Sequence, residues 1–487
     1  MNQFLDALTD ATNFTLTANG GLAHKTTKSM LLDMFATGAA YRGRSESDCI
    51  LLFKNAYEEN PEYALKCLFY IRAVREGQGE RRYFRVVMNW LAKHDTDAVL
   101  RNMQFIPELG RWDDLFCLFD TPAESAMLKF MVEQLALDVQ CKTPSLLAKW
   151  MPSISAASYD SRRRAQRIRE HLGWTHRQYR KTLSILRARI NVLERLMGMG
   201  KWDEIEFDKI PSKAGFKYRN AFARHDITKA KYEAFARSTT TKVNAKTLYP
   251  YECVAEARAL RSRDETNRLM IDKYWENLAD YFEGSVFNGL AVVDVSGSMF
   301  SGMASVAPIN VSISLGLYCA DKAKGPFANH FMTFSETPEL VRVEGTDFCE
   351  KVWRMNRANW GYNTNLKACF DLMLNTAVAY GVKEEDMPES LIVISDMQID
   401  ENLDYRTSVE TMMEQMRKKW TALGYKLPKL VYWNVNAAGG AKFLDNDPDV
   451  TYISGFSPTV FQQLMSGKTG YDLMMEVLNK ECFANIK

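Results

Sequence analysis

Two textures divide the 487-residue chain. Together they predict a multidomain fold: an α-helical part over residues 1–284, a HEAT-like repeat solenoid or ring of stacked helix pairs, and an α/β doubly wound, Rossmann-like domain over residues 285–487. Three observations carry this reading. Amphipathic helical stretches with short connections fill the first part. Apolar strands alternate with amphipathic helices in the second. Aspartates close two of those strands.

In the first part, "NPEYALKCLFYIRAVREGQGE" is a clear helix. Asn60 suits the N-cap, Pro61 the first helical position, and apolar residues recur at helical spacing up to Gly77 and Gly79. "TPAESAMLKFMVEQLALDV" repeats the logic, with Thr121 and Glu124 in a capping-box pattern around Pro122, and "TPSLLAKWM" is a shorter version. The polar stretch 237–246 reads as a connection, and "TNRLMIDKYWENLADYF" as the last helix before the second part. No fixed period runs through the helices, so any repeat is structural rather than written in the sequence.

From residue 286 the pattern becomes "GLAVVDV", "APINVSISLGLYCADKA", "HFMTFS", "ELVRV", "TNLKACFDLMLNTAVAYG", "SLIVISD", "RTSVETMMEQMRKKWTALG", "KLVYWNV" and "VTYIS". Alternating β and α units predict a mostly parallel sheet covered on both faces. Ligands of such sheets bind at the carboxyl ends of strands, where Asp294 and Asp396 stand.

Asp294, Ser296 and Ser298 form D-x-S-x-S at the end of the first of these strands. Convergent hard oxygen donors suit a small hard cation such as Mg²⁺, with Mn²⁺ or Ca²⁺ as alternatives. Neutral hydroxyls leave such a cation under-neutralised. It would therefore attract a carboxylate from a protein partner, or a phosphate oxygen, and would serve recognition rather than catalysis.

Charge is distributed unevenly. Residues 161–224 hold 17 Lys and Arg against 6 Asp and Glu, a local excess of +11 in a chain whose total is +2. Arg162, Arg163, Arg164, Arg167 and Arg169 crowd one helix start, where they oppose the helix dipole. Arg177, Arg180, Lys181 and Arg187 follow, interleaved with Trp174 and Tyr179, and Lys217, Arg219 and Arg224 continue the run. Arg81 and Arg82 lie beside the glycine turn of "REGQGERRYFR". Arginines among aromatics are what phosphate contact and base stacking require. No major-groove reader is recognisable, so RNA, structured or single-stranded, is expected over duplex DNA. "IPELGRWDDLF" reads instead as a helix cap with an Arg–Asp pair.

The order D-x-S-x-S, Thr364 in "GYNTN", and Asp396 ending "LIVISD" resembles the von Willebrand factor A domain and its metal-ion-dependent adhesion site. The resemblance implies that Ser296, Ser298 and Thr364 ligate the cation, with Asp294 and Asp396 acting mainly through water. Tyr362 and Asn363 stand where many relatives have two glycines. A helical half followed by such a domain resembles the TROVE family of Ro RNA-binding proteins. It resembles more closely an uncharacterised domain family of that architecture, through "TANGGLAHKTTKSMLLDMFATG", "IPELGRWDDL", "LLAKWMPS", "YRKTLSILRARINVLERLM" and "FARHD". Ro implies a helical ring closed by the A domain, with RNA bound on a basic surface.

Composition excludes other classes. Nine scattered cysteines without a C-x-x-C pair fit a reducing compartment, the start carries no basic residue of a signal peptide, and no apolar run reaches membrane-spanning length. The expectation is a cytoplasmic protein with no membrane partner. Six histidines and no nucleophile motif or nucleotide-binding glycine loop argue against an enzyme with catalytic residues. The expected function is non-catalytic RNA binding with a Mg²⁺-dependent recognition site. The alternative is a metal-dependent protein–protein scaffold without RNA.

Overall fold

The computed structural model describes residues 14–16, 22–24, 26–190, 192–260, 264–282, 286–300, 306–335, 337–356, 365–396, 412–436, 450–464, 468 and 470–487. A short antiparallel hairpin, β1 (Phe14–Leu16) and β2 (Leu22–His24), precedes the helices. The sequence pattern does not predict this hairpin.

The helical part begins with α1 (Met30–Thr37), α2 (Glu46–Glu59), α3 (Pro61–Arg72), α4 (Arg82–His94), α5 (Thr96–Asn102) and α6 (Phe105–Leu109). It continues through α7 (Glu124–Gln140), α8 (Leu147–Trp150), α9 (Tyr159–His171), α10 (His176–Arg189) and α11 (Leu193–Gly198). It ends with α12 (Ser212–Arg224), α13 (Asp226–Arg237), α14 (Pro250–Ala259) and α15 (Glu265–Glu276). Asn60 caps α3 as its chemistry predicts, accepting the Tyr63 N–H at 3.1 Å. The capping box expected at Thr121 does not form. The Thr121 hydroxyl donates to the Leu118 carbonyl at 2.7 Å, and Glu124 accepts the Asp120 N–H at 2.8 Å.

The second part is a six-stranded mixed sheet: β3 (Gly289–Val293), β4 (His330–Thr333), β5 (Leu340–Arg342), β6 (Ser390–Ser395), β7 (Lys429–Asn434) and β8 (Val450–Ser454). The spatial order is β5-β4-β3-β6-β7-β8, and every pair is parallel except the edge pair β4/β5. Winding reverses between β3 and β6. Their carboxyl ends therefore form the switch point of a doubly wound sheet, the place where such sheets bind ligands.

Strand periodicity sorts the two faces. Val293, Ile394 and Trp433 join one buried cluster, whereas Val292, Val393 and Tyr432 join another. The first face is covered by α16 (Pro308–Lys322), while α17 (Phe348–Met355) packs against α14 and α15 of the helical part. The second is covered by α18 (Leu366–Tyr380) and α19 (Met412–Ala422). Gly381 ends α18 with φ of 60°, the left-handed cap that glycine supplies. Two more helices, α20 (Val460–Leu464) and α21 (Gly470–Leu478), finish the chain.

The first cluster does not stop at the domain boundary. It runs from Leu31 and Phe69 through Trp275 to Val293 and Phe461. Both ends of the helical part rest on the sheet domain. At one end Tyr63 donates to Asn479 at 3.2 Å, the Thr459 hydroxyl donates to the Gly77 carbonyl at 3.2 Å, and the Lys487 N–H donates to Asn102 at 3.0 Å. At the other, Arg268 pairs with Asp347 at 2.6 Å and the Trp353 indole donates to the Ala257 carbonyl at 2.9 Å. The two ends also meet directly. The Arg42 guanidinium lies 4.2 Å from the Phe456 ring centroid, Tyr251 packs edge-on to that same ring, and the Tyr249 hydroxyl donates to the Gln78 carbonyl at 3.4 Å.

Candidate nucleic-acid interface and metal motif

Asp294 directly follows β3 and Asp396 directly follows β6, at the carboxyl ends of two adjacent parallel strands. Both are fully buried. Asp294 Oδ1 accepts the Ser296 N–H at 2.8 Å, and Oδ2 accepts the Ser395 hydroxyl at 2.5 Å. Ser312 on α16 donates to the Asp294 carbonyl at 2.7 Å, which ties the motif to that helix. The Ser296 and Ser298 hydroxyls stand 3.0 Å apart. Thr364, the fifth expected ligand, lies outside the described residues.

Burial, reinforced by the charge of Asp396, pushes the Asp294 carboxyl up to about 7. Two buried like charges disfavour joint ionisation unless a cation compensates them. A small divalent ion fits this donor set: Ser296 and Ser298 would hold it directly, and Asp294 and Asp396 would offset its charge. Among the described residues no group of three or more His, Cys, Asp or Glu side chains converges, so the chemistry offered is that of hydroxyl donors rather than a carboxylate or thiolate cage.

Helices α8, α10, α11 and α12 enclose a cleft of about 790 Å³. Its cations are Arg111, Lys149, Arg180, Arg187, Arg195, Lys213 and Lys217, against the single carboxylate of Glu194. Trp150 forms an aromatic wall, with the Arg111 guanidinium 4.2 Å from its ring centroid. Among the described residues no carboxylate pairs with Lys149, Arg180, Arg195 or Lys217. The other cations are engaged. Arg111 reaches Asp113, Lys213 pairs with Glu252, and Arg187 donates to the Ala148 and Met151 carbonyls at 2.8 Å each. Crowding of cations with partial burial has a visible effect: burial lowers Arg111 to about 10 and also lowers Lys213 and Arg187.

The structure divides the basic residues singled out from the sequence. Arg180, Arg187 and Lys217 meet in the cleft, while Arg177 and Lys181 are exposed on the same helix as Arg180. The arginine cluster of α9 is largely satisfied within the protein. Arg163 and Arg167 pair with Asp120 at 2.8 and 2.7 Å, and Arg167 also reaches Glu124. Arg162 donates to the Ala156 and Ala157 carbonyls, Arg169 to the Trp174 carbonyl, and Arg164 lies over Phe116 and Phe119. Arg163 and Arg167 thus find carboxylates in α7 and its preceding loop, and Arg169, expected at the helix start, lies instead in the last turn of α9, where the helix dipole favours a cation.

Arg219 is corrected outright as a phosphate contact. It is 5% exposed, paired with Glu256 and bonded to the Phe216 carbonyl. Arg224 sits apart, on a separate depression with Arg237 and Glu233. Arg82 donates to the Arg42 and Arg44 carbonyls, and Arg81 is exposed. Tyr179 is not a stacking surface either: it is buried and donates to the Pro152 carbonyl at 2.9 Å. Sequence reasoning did not place Lys149, Trp150 or Arg195 in the site. Each is a single residue on a short helix, and no local pattern marks it.

"RWDDL" behaves as a structural cap. Asp114 accepts the Arg111 N–H at 2.9 Å and both Arg72 and Arg85. Among the described residues no helix is long and apolar enough to cross a membrane.

Comparison with known proteins places this arrangement. The family model described as Domain of unknown function (DUF2828) matches residues 17–119 and 158–285, and that described as Domain of unknown function (DUF7788) matches residues 288–482. Among solved structures, the crystal structure of the Deinococcus radiodurans RO (RSR) protein aligns over 94% of this chain and 100% of that chain, at 14% identity. Its TM-score of 0.39 is too low to establish a shared fold. Uncharacterized protein L728 of Acanthamoeba polyphaga mimivirus is 31% identical over 499 residues, which span 94% of this chain and 85% of that protein. The chain therefore belongs to the same family as mimivirus L728, with a DUF2828 region followed by a DUF7788 domain.

Proposed function

We propose that the protein is a non-catalytic RNA-binding protein that holds single-stranded or looped RNA in the cleft between α8, α10, α11 and α12, with a Mg²⁺-type cation at the Asp294 motif as a second recognition element. The observation that carries this reading is the cleft itself: seven cations face one carboxylate, and four of the cations have no acidic partner among the described residues. Unneutralised Lys and Arg attract phosphates, and Trp150 offers a face for a base. The cleft is bounded by side chains on helices rather than by an extended flat face, which suits a flexible strand better than a rigid duplex. In this reading the helical part, which leaves and rejoins the sheet domain, acts as a frame around the bound strand.

Binding of a fluorescent 12-nucleotide single-stranded RNA to the full chain tests this. Wild type should bind in moderate salt, and the double variant Arg180→Glu/Lys217→Glu should lose at least about tenfold in affinity, as expected when phosphate contacts become repulsive. Equal affinity of the two proteins would reject the cleft as the RNA site. Failure of both to bind single-stranded or structured RNA would reject the function.

A further inference from the structure

We infer that Arg258 joins the basic cleft to the metal motif, so that a phosphodiester of the bound RNA strand is held jointly by Arg258 and by the cation at Asp294–Ser298. This rests on the RNA-binding reading above and adds to it a path and a residue.

The path is continuous in its lining. Lys213 and Lys217 line the basic cleft and also a second groove of about 560 Å³. The far wall of that groove comes from the sheet domain: Val306, Ala307 and Asn310. Its two carboxylates, Glu252 and Glu256, are already paired with Lys213 and Arg219, so Lys217 supplies an unneutralised charge. A strand leaving the cleft past Lys217 thus meets the first turn of α16.

Arg258 stands at that junction. It belongs to α14 of the helical part, yet its guanidinium donates to Asn310 Oδ1 at 2.6 Å. It also lies 5.9 Å from the ring centroid of Phe300, which ends the short turn Gly297–Phe300 carrying Ser298. Two residues beyond Asn310, Ser312 holds the Asp294 carbonyl. Arg258 therefore contacts Asn310 and lies near Phe300, on the two segments that flank the motif. Among the described residues no carboxylate pairs with it, and burial lowers its pKa. A half-buried guanidinium without a counter-ion favours an incoming anion.

The chemistry selects a phosphate. A cation held directly by the neutral Ser296 and Ser298 hydroxyls would keep attraction for an incoming anionic oxygen. A guanidinium beside it adds planar donors matched to two oxygens of one phosphate. A phosphodiester can offer one oxygen to the metal and another to Arg258.

Affinity for the 12-nucleotide RNA would be measured at constant ionic strength with Mg²⁺ or with EDTA, alongside Mn²⁺ binding followed by electron paramagnetic resonance. Wild type should bind RNA about tenfold tighter with Mg²⁺, a typical coupling between sites. Arg258→Ala should lose most of that Mg²⁺-dependent gain while keeping wild-type Mn²⁺ affinity. Arg258→Lys, which preserves the charge, should recover part of it, and this variant separates loss of a ligand from loss of folding. A wild-type protein that binds RNA equally with and without Mg²⁺ would overturn the inference and leave the proposed function standing. Parallel loss of Mn²⁺ affinity in Arg258→Ala would overturn it too, by making the residue a support of the metal turn. So would Mg²⁺-dependent capture of an acidic peptide with no Mg²⁺ effect on RNA. Absence of any RNA binding would instead sink the proposed function.

Discussion

Asp114 and Arg72 form an ion pair with no solvent access to the carboxylate: Nη2 lies 2.6 Å from Oδ2, and the two side chains are 3% and 0% exposed. Arg85 reaches the other oxygen at 2.7 Å, so one buried carboxylate balances two guanidiniums on α3 and α4. Arg111 and its neighbour Asp113 complete the cluster at the rim of the basic cleft.

Removing Asp114 leaves Arg72 buried and unpaired. Asp114→Ala should destabilise the protein by about 3–5 kcal/mol, the cost of breaking a buried pair from one side. Chemical denaturation followed by circular dichroism measures this. A loss under about 1 kcal/mol, the range of surface pairs, would show that water or rearrangement relieves Arg72.

Arg180 and Arg219 are both arginines of the basic segment, with opposite expected roles. Arg219→Ala breaks a buried pair with Glu256 and should lower stability, whereas Arg180→Ala should leave stability within about 0.5 kcal/mol and weaken RNA binding. For a single strand, log affinity falls with log salt by about 0.7 for each phosphate neutralised. Four unpaired cleft cations therefore predict a slope near about −3, and Lys217→Ala should make it shallower by about 0.7. A salt titration that gives the same slope for wild type and Lys217→Ala would contradict the assignment.

A divalent cation at the Asp294 motif should stabilise the folded chain, because it relieves repulsion between two buried carboxylates. The gain is about 2.7 kcal/mol at a hundredfold excess over the dissociation constant. Thermal melts with Mg²⁺ or Mn²⁺ against EDTA should show an upward shift in wild type and none in Ser298→Ala. Identical shifts in both would place the ion elsewhere.

The buried cluster that crosses from the helices into the sheet makes the two parts one cooperative unit. Calorimetry should show a single transition rather than one per part. Gly79 offers a local test of the junction. Its φ of 65° disfavours any side chain, and a Cβ there would collide with the Tyr249 hydroxyl. Gly79→Ala should lower the melting temperature and raise protease sensitivity near residues 75–80. An unchanged melt would show that the contact between the two ends of the helical part adds little.

Much of this architecture is written locally. Leu290–Val293 and Leu391–Ile394 are apolar without alternation and buried at every position, so they announce themselves as strands covered on both sides. Asn60 and Gly381 mark helix ends by their own chemistry. Two aspartates at the ends of parallel strands were legible as partners because the doubly wound sheet brings such ends together.

The charges were not legible in the same way. Whether an arginine is free depends on what faces it, and the partners come from elsewhere in the chain: Asp120 for Arg163, Glu256 for Arg219. The cleft gathers Arg111, Lys149, Arg180 and Lys217 from segments spread over a hundred positions, and no local period records that convergence. By itself the sequence determined the helical and α/β parts, the D-x-S-x-S stretch at a strand end and the existence of a basic segment, since apolar patterning and residue chemistry act over a few residues. Only the tertiary structure decided which cations remain unneutralised, where they meet, and that Arg258 of the helical part reaches Asn310 of the sheet domain, because pairing and desolvation are properties of groups brought together from distant points of the chain.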